Sequence, residues 1–173
     1  TLFEYLKTKL KQSGLPVYDQ KRHDGILRNI FIREGFHTWE ILVNLVYAKK
    51  NLTKEYQEAH RDQLLQDLQA DDRLREDITT FIITDNSTLS DAQRRSQSHL
   101  ETLRGPGKIT EVLHYDNPKE ANLNFQISPT SFFQTNTLWA ETLFETAMWY
   151  AEPVEGKSTI LDLYCGTGSI GLS

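Results

Sequence analysis

Residues 160–173 constrain this chain more than any others. They run Ile-Leu-Asp-Leu-Tyr-Cys-Gly-Thr-Gly-Ser-Ile-Gly-Leu-Ser, an apolar stretch that closes on an acid and passes directly into glycines spaced G-x-G-x-x-G. Glycine lets the backbone turn sharply and lets a ligand come close to it. An apolar strand, a tight glycine turn and the first residues of a helix are how a doubly wound sheet begins. Such a sheet takes roughly 100 further residues, in βα units of about 30. The expected fold class is therefore α/β, with this segment as the first strand and loop of a Rossmann-like domain. The chain is expected to hold only the opening of that domain.

The N–H groups at the start of the helix favour an anionic group. In a dinucleotide enzyme that group is a pyrophosphate. In an S-adenosylmethionine enzyme it is the methionine carboxylate. Asp162, near the strand end and ahead of Gly166, bears on the choice: a carboxylate there can hold the methionine ammonium and would repel a pyrophosphate. The position about 20 residues later, where an acid would bind a ribose, is past Ser173 and does not bear on the choice. Asp162, Gly166 and Gly168 are thus candidate cofactor contacts. A nicotinamide-dependent oxidoreductase, resting on the glycines alone, remains an alternative. Cys165 sits inside the loop, where small packing beside a cofactor is expected rather than a nucleophile. Tyr164 is placed either to join the core or to pack against the cofactor.

The rest of the composition sets outer bounds. A chain of 173 residues allows one compact domain, or one domain and part of another. No apolar run approaches the roughly 18 residues that cross a membrane, so no membrane partner is expected. Thr1 is not an initiator, and a lost upstream segment is expected. The single cysteine excludes an internal disulfide framework and a thiolate cluster. No metal is expected within the chain, and a reducing, cytoplasmic setting follows. The net charge of −5 is unevenly spread: residues 1–61 carry 11 Lys/Arg against 7 Asp/Glu, and the remainder 8 against 17. A solvated surface explains that, although a local basic face for a phosphate backbone stays open.

Along the chain, Leu2, Leu6 and Leu10 recur at helical spacing, and Ser13-Gly14 and Pro16 stop that helix. ILRNIFIR (26–33) and WEILVNLVY (39–47) predict an antiparallel hairpin. A surface helix over 53–70 should turn Tyr56, Ala59, Leu64, Leu65 and Leu68 inward. ITTFIIT (78–84) is a third strand. Polar residues 85–101 predict a loop with a short helical piece. Residues 108–115 and 121–128 form a second hairpin. Ser128-Pro129 ends it and a helix over 137–151 follows, with Leu143, Phe144, Ala147, Met148 and Ala151 as its core stripe. Residues 158–164 complete the count as a strand. The boundary falls near 128: residues 1–128 as a central α+β domain, and 129–173 as the start of the Rossmann-like one.

Three stretches, in order, resemble one family. Asp162-Leu163-Tyr164-Cys165-Gly166-Thr167-Gly168-Ser169-Ile170-Gly171-Leu172 is similar to the cofactor motif of the RNA uracil-5-methyltransferases. Ile127-Ser128-Pro129-Thr130-Ser131-Phe132-Phe133-Gln134-Thr135-Asn136 is similar to that family's second signature, and residues 25–35 to a third. Phe-Phe-Gln and Cys-Gly-Thr-Gly point to its 23S ribosomal RNA branch. The resemblance implies methyl transfer from S-adenosylmethionine to C5 of a uridine in RNA. An enzyme cysteine adds to C6, C5 attacks the methyl, a base takes the C5 proton, and the cysteine leaves. The target base is turned out of its stack to be reached.

By the same resemblance Gln134 and Tyr164 contact the cofactor, Ser169 stands where some members use asparagine for it, and Phe132 lies beside the flipped base. Burial under the next helix is the competing explanation for Phe132 and Phe133. The family's catalytic cysteine and base belong to a portion absent here, as do its N-terminal β-barrel and the four cysteines that hold an iron–sulfur cluster in many ribosomal members. No catalytic residue is therefore expected in the chain, and the chain alone should be inactive. A non-catalytic RNA-binding piece is the alternative, with Arg28, Arg33, Lys49 and Lys50 as its surface.

Overall fold

The computed structural model describes residues 1–87, 99–114, 122–152, 157–159, 161 and 163, with Tyr56 through its backbone alone. It divides into two compact units: Thr1–Glu34 with Ile41–Ile109, and Gly35–Glu40 with Thr110–Ser173.

The first unit is built on a mixed four-stranded sheet in the order β1-β2-β3-β4, from β1 (Leu27–Glu34), β2 (Ile41–Tyr47), β3 (Thr80–Asp85) and β4 (His99–Arg104). The expected hairpin is present, with β1 antiparallel to β2 from Leu27 opposite Tyr47 to Glu34 opposite Ile41. β3 lies parallel to β2, Val43 opposite Phe81 and Leu45 opposite Ile83. A parallel neighbour needs a crossover, and helices α2 (Glu55–Ala70) and α3 (Asp72–Asp77) supply it. β2 is buried along nearly its whole length, as a central strand in the order requires. One face of β2 and β3 presents Val43, Leu45, Tyr47, Phe81 and Ile83 to Leu6 and Leu10 of α1 (Leu2–Gln12), Leu64 and Leu68 of α2, and Leu74 of α3. Ala59, expected in the α2 stripe, is exposed.

Local chemistry sets the helix ends. The Gln57 side chain accepts from the N–H groups of Thr53 and Lys54 ahead of α2. Asp71 caps α3 by accepting from Leu74 N–H at 3.1 Å, and its carboxylate also takes the Tyr5 hydroxyl at 2.7 Å and Lys9 Nζ at 2.8 Å. One carboxylate thus ties α1 to the α2–α3 junction. Gly25 has φ +89°, and a Cβ there would lie 2.3 Å from Val17 O. The entry to β1 therefore demands glycine.

Two sequence expectations change here. Residues 99–101, expected at the end of the 85–101 loop, instead open β4, which runs antiparallel to β3. An edge strand keeps one solvated side, so the polar sequence HLETLR carries no clear alternation and is mostly exposed. The expected strand over 158–164 is not present at its described positions: Ser158, Thr159, Leu161 and Leu163 lie outside any strand, and both leucines are exposed. A strand exists only within a ladder, and Ser158, Thr159, Leu161 and Leu163 are not part of one.

In the second unit β5 (Ile109–Leu113) pairs with β6 (Leu123–Ile127). Helix α4 (Thr137–Ala151) packs on them, with Leu113, Phe125, Ala140 and Phe144 as the core and Leu123 and Phe133 beside it. Asn136 caps α4 by accepting from Trp139 N–H at 3.1 Å. The buried face of α4 is Thr137, Ala140, Glu141 and Phe144. Leu143, expected in the stripe, is half exposed, and Ala151 is exposed. The helix carries apolar residues all round, so its period does not pick a face; the neighbours of Glu141 do.

Candidate functional site

Of the residues expected to contact the cofactor or the flipped base, Gln134 and Phe132 are among the described residues. Asp162, Tyr164, Cys165, Gly166, Gly168 and Ser169 lie outside the described residues. Gln134 and Phe132 share the extended segment from Ser128 to Asn136 that joins β6 to α4.

That segment is shaped by hydroxyls. Ser128 Oγ meets Ser131 Oγ at 2.8 Å and Thr130 Oγ1 at 3.3 Å. Ser131 N–H donates to Ser128 O and lies 3.2 Å from Ser128 Oγ. Ser and Thr close turns this way because a short side chain stands in for a backbone acceptor. The next two residues then point apart. Phe133 turns inward, its ring 5.5 Å from that of Phe125. Phe132 turns outward and is 63% exposed. Burial accounts for Phe133 but leaves Phe132 without a structural role. Gln134 is exposed, and among the described residues its amide makes no hydrogen bond. An aromatic face and an exposed amide two residues apart, between the Ser128–Ser131 turn and the capped start of α4, can stack on a flat ring and bond to a polar edge.

The far end of the segment is anchored by a residue that the motifs did not mark. Glu111 of β5 is 1% exposed. Its Oε2 accepts from Phe36 N–H at 2.5 Å and from the Thr137 hydroxyl at 2.9 Å. Its Oε1 accepts from His37 N–H at 3.1 Å and Val112 N–H at 2.9 Å. The first residue of α4 and the 35–40 loop are thus held by one carboxylate. Thr38 Oγ1 donates to Thr110 O at 2.6 Å, and Thr110 N–H donates to Glu40 Oε2 at 2.6 Å. A Cβ on Gly35 would meet Thr38 Oγ1 at 2.2 Å, so the loop closes only around glycine. A sequence signal for Glu111 existed: in ITEVL it falls in phase with Ile109 and Leu113, and alternation puts it inward.

The basic surface of the alternative is reduced to two residues. Arg28 stacks on Tyr18 at 4.2 Å and donates to Asn86 O at 2.8 Å. Arg33 is partly buried, and desolvation lowers its pKa. Lys49 and Lys50, in the short 3-10 turn Lys49–Asn51, are exposed.

Comparison with known proteins gives the wider setting. No family model matches the chain. Over 171 residues, 99% of its length, the chain is 32% identical to a protein of Clostridium tetani described as an uncharacterized RNA methyltransferase. Over 161 residues, 93% of its length, it is 35% identical to a protein of Caldanaerobacter subterraneus subsp. tengcongensis described in the same words. It spans about a third of each relative, 33% and 32%. Among solved structures it resembles the Pyrococcus abyssi tRNA (uracil-54, C5)-methyltransferase in complex with S-adenosyl-L-homocysteine, with a TM-score of 0.64 and 28% identity. That match covers 98% of this chain and 35% of the other.

Proposed function

We propose that this chain is part of an RNA methyltransferase that uses S-adenosylmethionine to methylate C5 of a uridine, in 23S ribosomal RNA. The observation that carries the proposal is the outward Phe132, with the exposed Gln134 two residues on, just past a hydroxyl-locked turn. The turn lies in a chain similar to RNA methyltransferases over nearly all its length. The mixed α/β likeness to a uracil C5 enzyme supports it.

In this reading residues 129–173 open the cofactor domain. When bound, S-adenosylmethionine supplies an electrophilic methyl group. Gln134, with Asp162, Tyr164, Gly166, Gly168 and Ser169, would hold it. Gln134 fits that role because its amide is exposed and makes no other hydrogen bond among the described residues. Phe132 presents a face on which a base turned out of its stack can rest; such base–aromatic stacking is worth about 1–3 kcal/mol. Glu111 positions the segment by holding Thr137. In this reading no residue of the chain adds to C6 or takes the C5 proton, and the chain by itself should give no turnover.

The test is a graft. The chain replaces the matching residues of the Clostridium tetani relative, and the purified product is incubated with S-adenosylmethionine and either 23S ribosomal RNA or transfer RNA. A methyl at uridine C5 in the ribosomal RNA is expected, lost in Phe132→Ala and weakened in Gln134→Ala. A methyl in transfer RNA alone would overturn the ribosomal assignment. Tight S-adenosylhomocysteine binding with no methyl at C5 of either RNA would overturn the reaction itself.

A further inference from the structure

A second cluster lies in the same unit and takes no part in the proposed methyl transfer. His37 of the 35–40 loop, His114 after β5 and Glu141 of α4 bring one ligand-capable atom each to within 4.8 Å of one another. His37 Nε2 is 2.9 Å from Glu141 Oε1. The rings of His37 and His114 lie 4.0 Å apart at 32°. The His37 and Glu141 side chains are mostly buried, at 19% and 12% exposure, and His114 opens to solvent.

The frame around the three is already fixed. His37 N–H is held by the buried Glu111, and His114 N–H donates to Glu141 Oε1 at 2.8 Å. These bonds fix the backbones of His37 and His114 and the carboxylate of Glu141; of the three ligand groups only that carboxylate is oriented through its own side chain, as outer-shell partners orient metal ligands. We propose that His37, His114 and Glu141 form a binding site for one divalent transition-metal ion of the zinc class. The site clips the 35–40 loop to α4.

The donor set decides the class. Two imidazoles and one carboxylate suit zinc and its neighbours, whereas magnesium and calcium need oxygen ligands throughout. Zinc bonds of about 2.0–2.2 Å set tetrahedral donors roughly 3.3 Å apart, so the His37–Glu141 pair needs to open only slightly. The ring of His114, tilted against that of His37, must turn to aim a nitrogen at the ion, and its exposure leaves it room. The ion takes the place of the hydrogen bond between His37 Nε2 and Glu141 Oε1, and the neutral ring that binds through Nε2 carries its N–H on Nδ1. A fourth position is left for water. The sequence expectation of no metal rested on cysteine. His37, His114 and Glu141 are too far apart in the chain to form a spacing motif, so only the fold reveals them.

The experiment titrates the untagged full chain with zinc chloride by calorimetry and follows its melting midpoint. About one equivalent of zinc should bind and raise the midpoint, while magnesium at the same concentration leaves it unchanged. His114→Ala removes an exposed ring and keeps the backbone bond to Glu141. It should melt like the parent without metal and lose at least about tenfold in zinc affinity. Glu141→Gln keeps an acceptor for His37 and His114 but is a poor zinc ligand. It should also fold and lose affinity. No zinc binding up to about 1 mM would overturn the proposal. So would equal binding by the parent and both folded variants, because the ion would then sit elsewhere.

Discussion

At the scale of single residues, two carboxylates hold more of this molecule than their number suggests. Burial alone would raise the pKa of Asp71. The bonds from Lys9, Tyr5 and Leu74 N–H outweigh it and hold the group at about 2, below the ordinary 3.8 of an aspartate. A folded pKa below the unfolded one adds stability that is full above the unfolded value and lost as pH falls toward the folded one. That contribution is on the order of 2 kcal/mol. Asp71→Asn should therefore lower urea stability at pH 7 by about that amount. The gap between parent and variant should narrow as pH falls from about 5 to 2.5; a gap that stays constant would assign the effect to packing. Glu111 works differently, as a buried acceptor for four donors. Glu111→Gln keeps the shape but turns a donor toward one of them, and should cost about 1–3 kcal/mol in a denaturant titration. Neither role lies in a motif. Alternation marked Glu111 as inward, but nothing local told which donors it would meet, since Phe36 and Thr137 arrive from distant parts of the chain.

At the scale of elements, what could be read from the sequence follows how clean each pattern was. β1, β2 and β3 are β-rich runs ended by turn residues, and they appear where expected. Their order could not be read. The parallel placement of β3 on β2 depends on α2 and α3 packing across Val43, Leu45 and Phe81, a contact that no local period encodes. β4 was missed because an exposed edge has no apolar phase. Helix α4 shows a third case, in which the element was foreseen and its face was not. Leu138, Trp139, Leu143, Phe144, Met148, Trp149 and Tyr150 surround it, so two overlapping stripes fit equally well. The structure turns Phe144 in at 1% exposure and leaves Leu143 at 51%. Phe144→Ala should cost about 3–5 kcal/mol, whereas Leu143→Ala should stay within about 0.5 kcal/mol. Comparable losses in thermal unfolding would restore the stripe that the sequence favoured.

At the scale of the whole molecule, the exposed side of α4 is the feature least like a finished surface. Leu138, Trp139, Leu143, Trp149 and Tyr150 are all at least half exposed and lie on one side of the helix, opposite Ala140 and Phe144. Soluble monomers rarely leave contiguous apolar patches beyond a few hundred Å² uncovered. The isolated chain should therefore bind a hydrophobic dye such as anilinonaphthalene sulfonate and associate as its concentration rises. The decisive variant carries Trp139→Glu and Trp149→Lys. The acid sits near the helix N-terminus and the base near its C-terminus, so both charges agree with the helix dipole and neither touches the Phe144 core. Its far-UV circular dichroism should match the parent, with dye binding and concentration-dependent sedimentation both reduced. Dye binding that persists undiminished in the folded double variant would place the exposed apolar surface elsewhere. A parent that binds no dye would mean that this face is covered in solution by the chain itself.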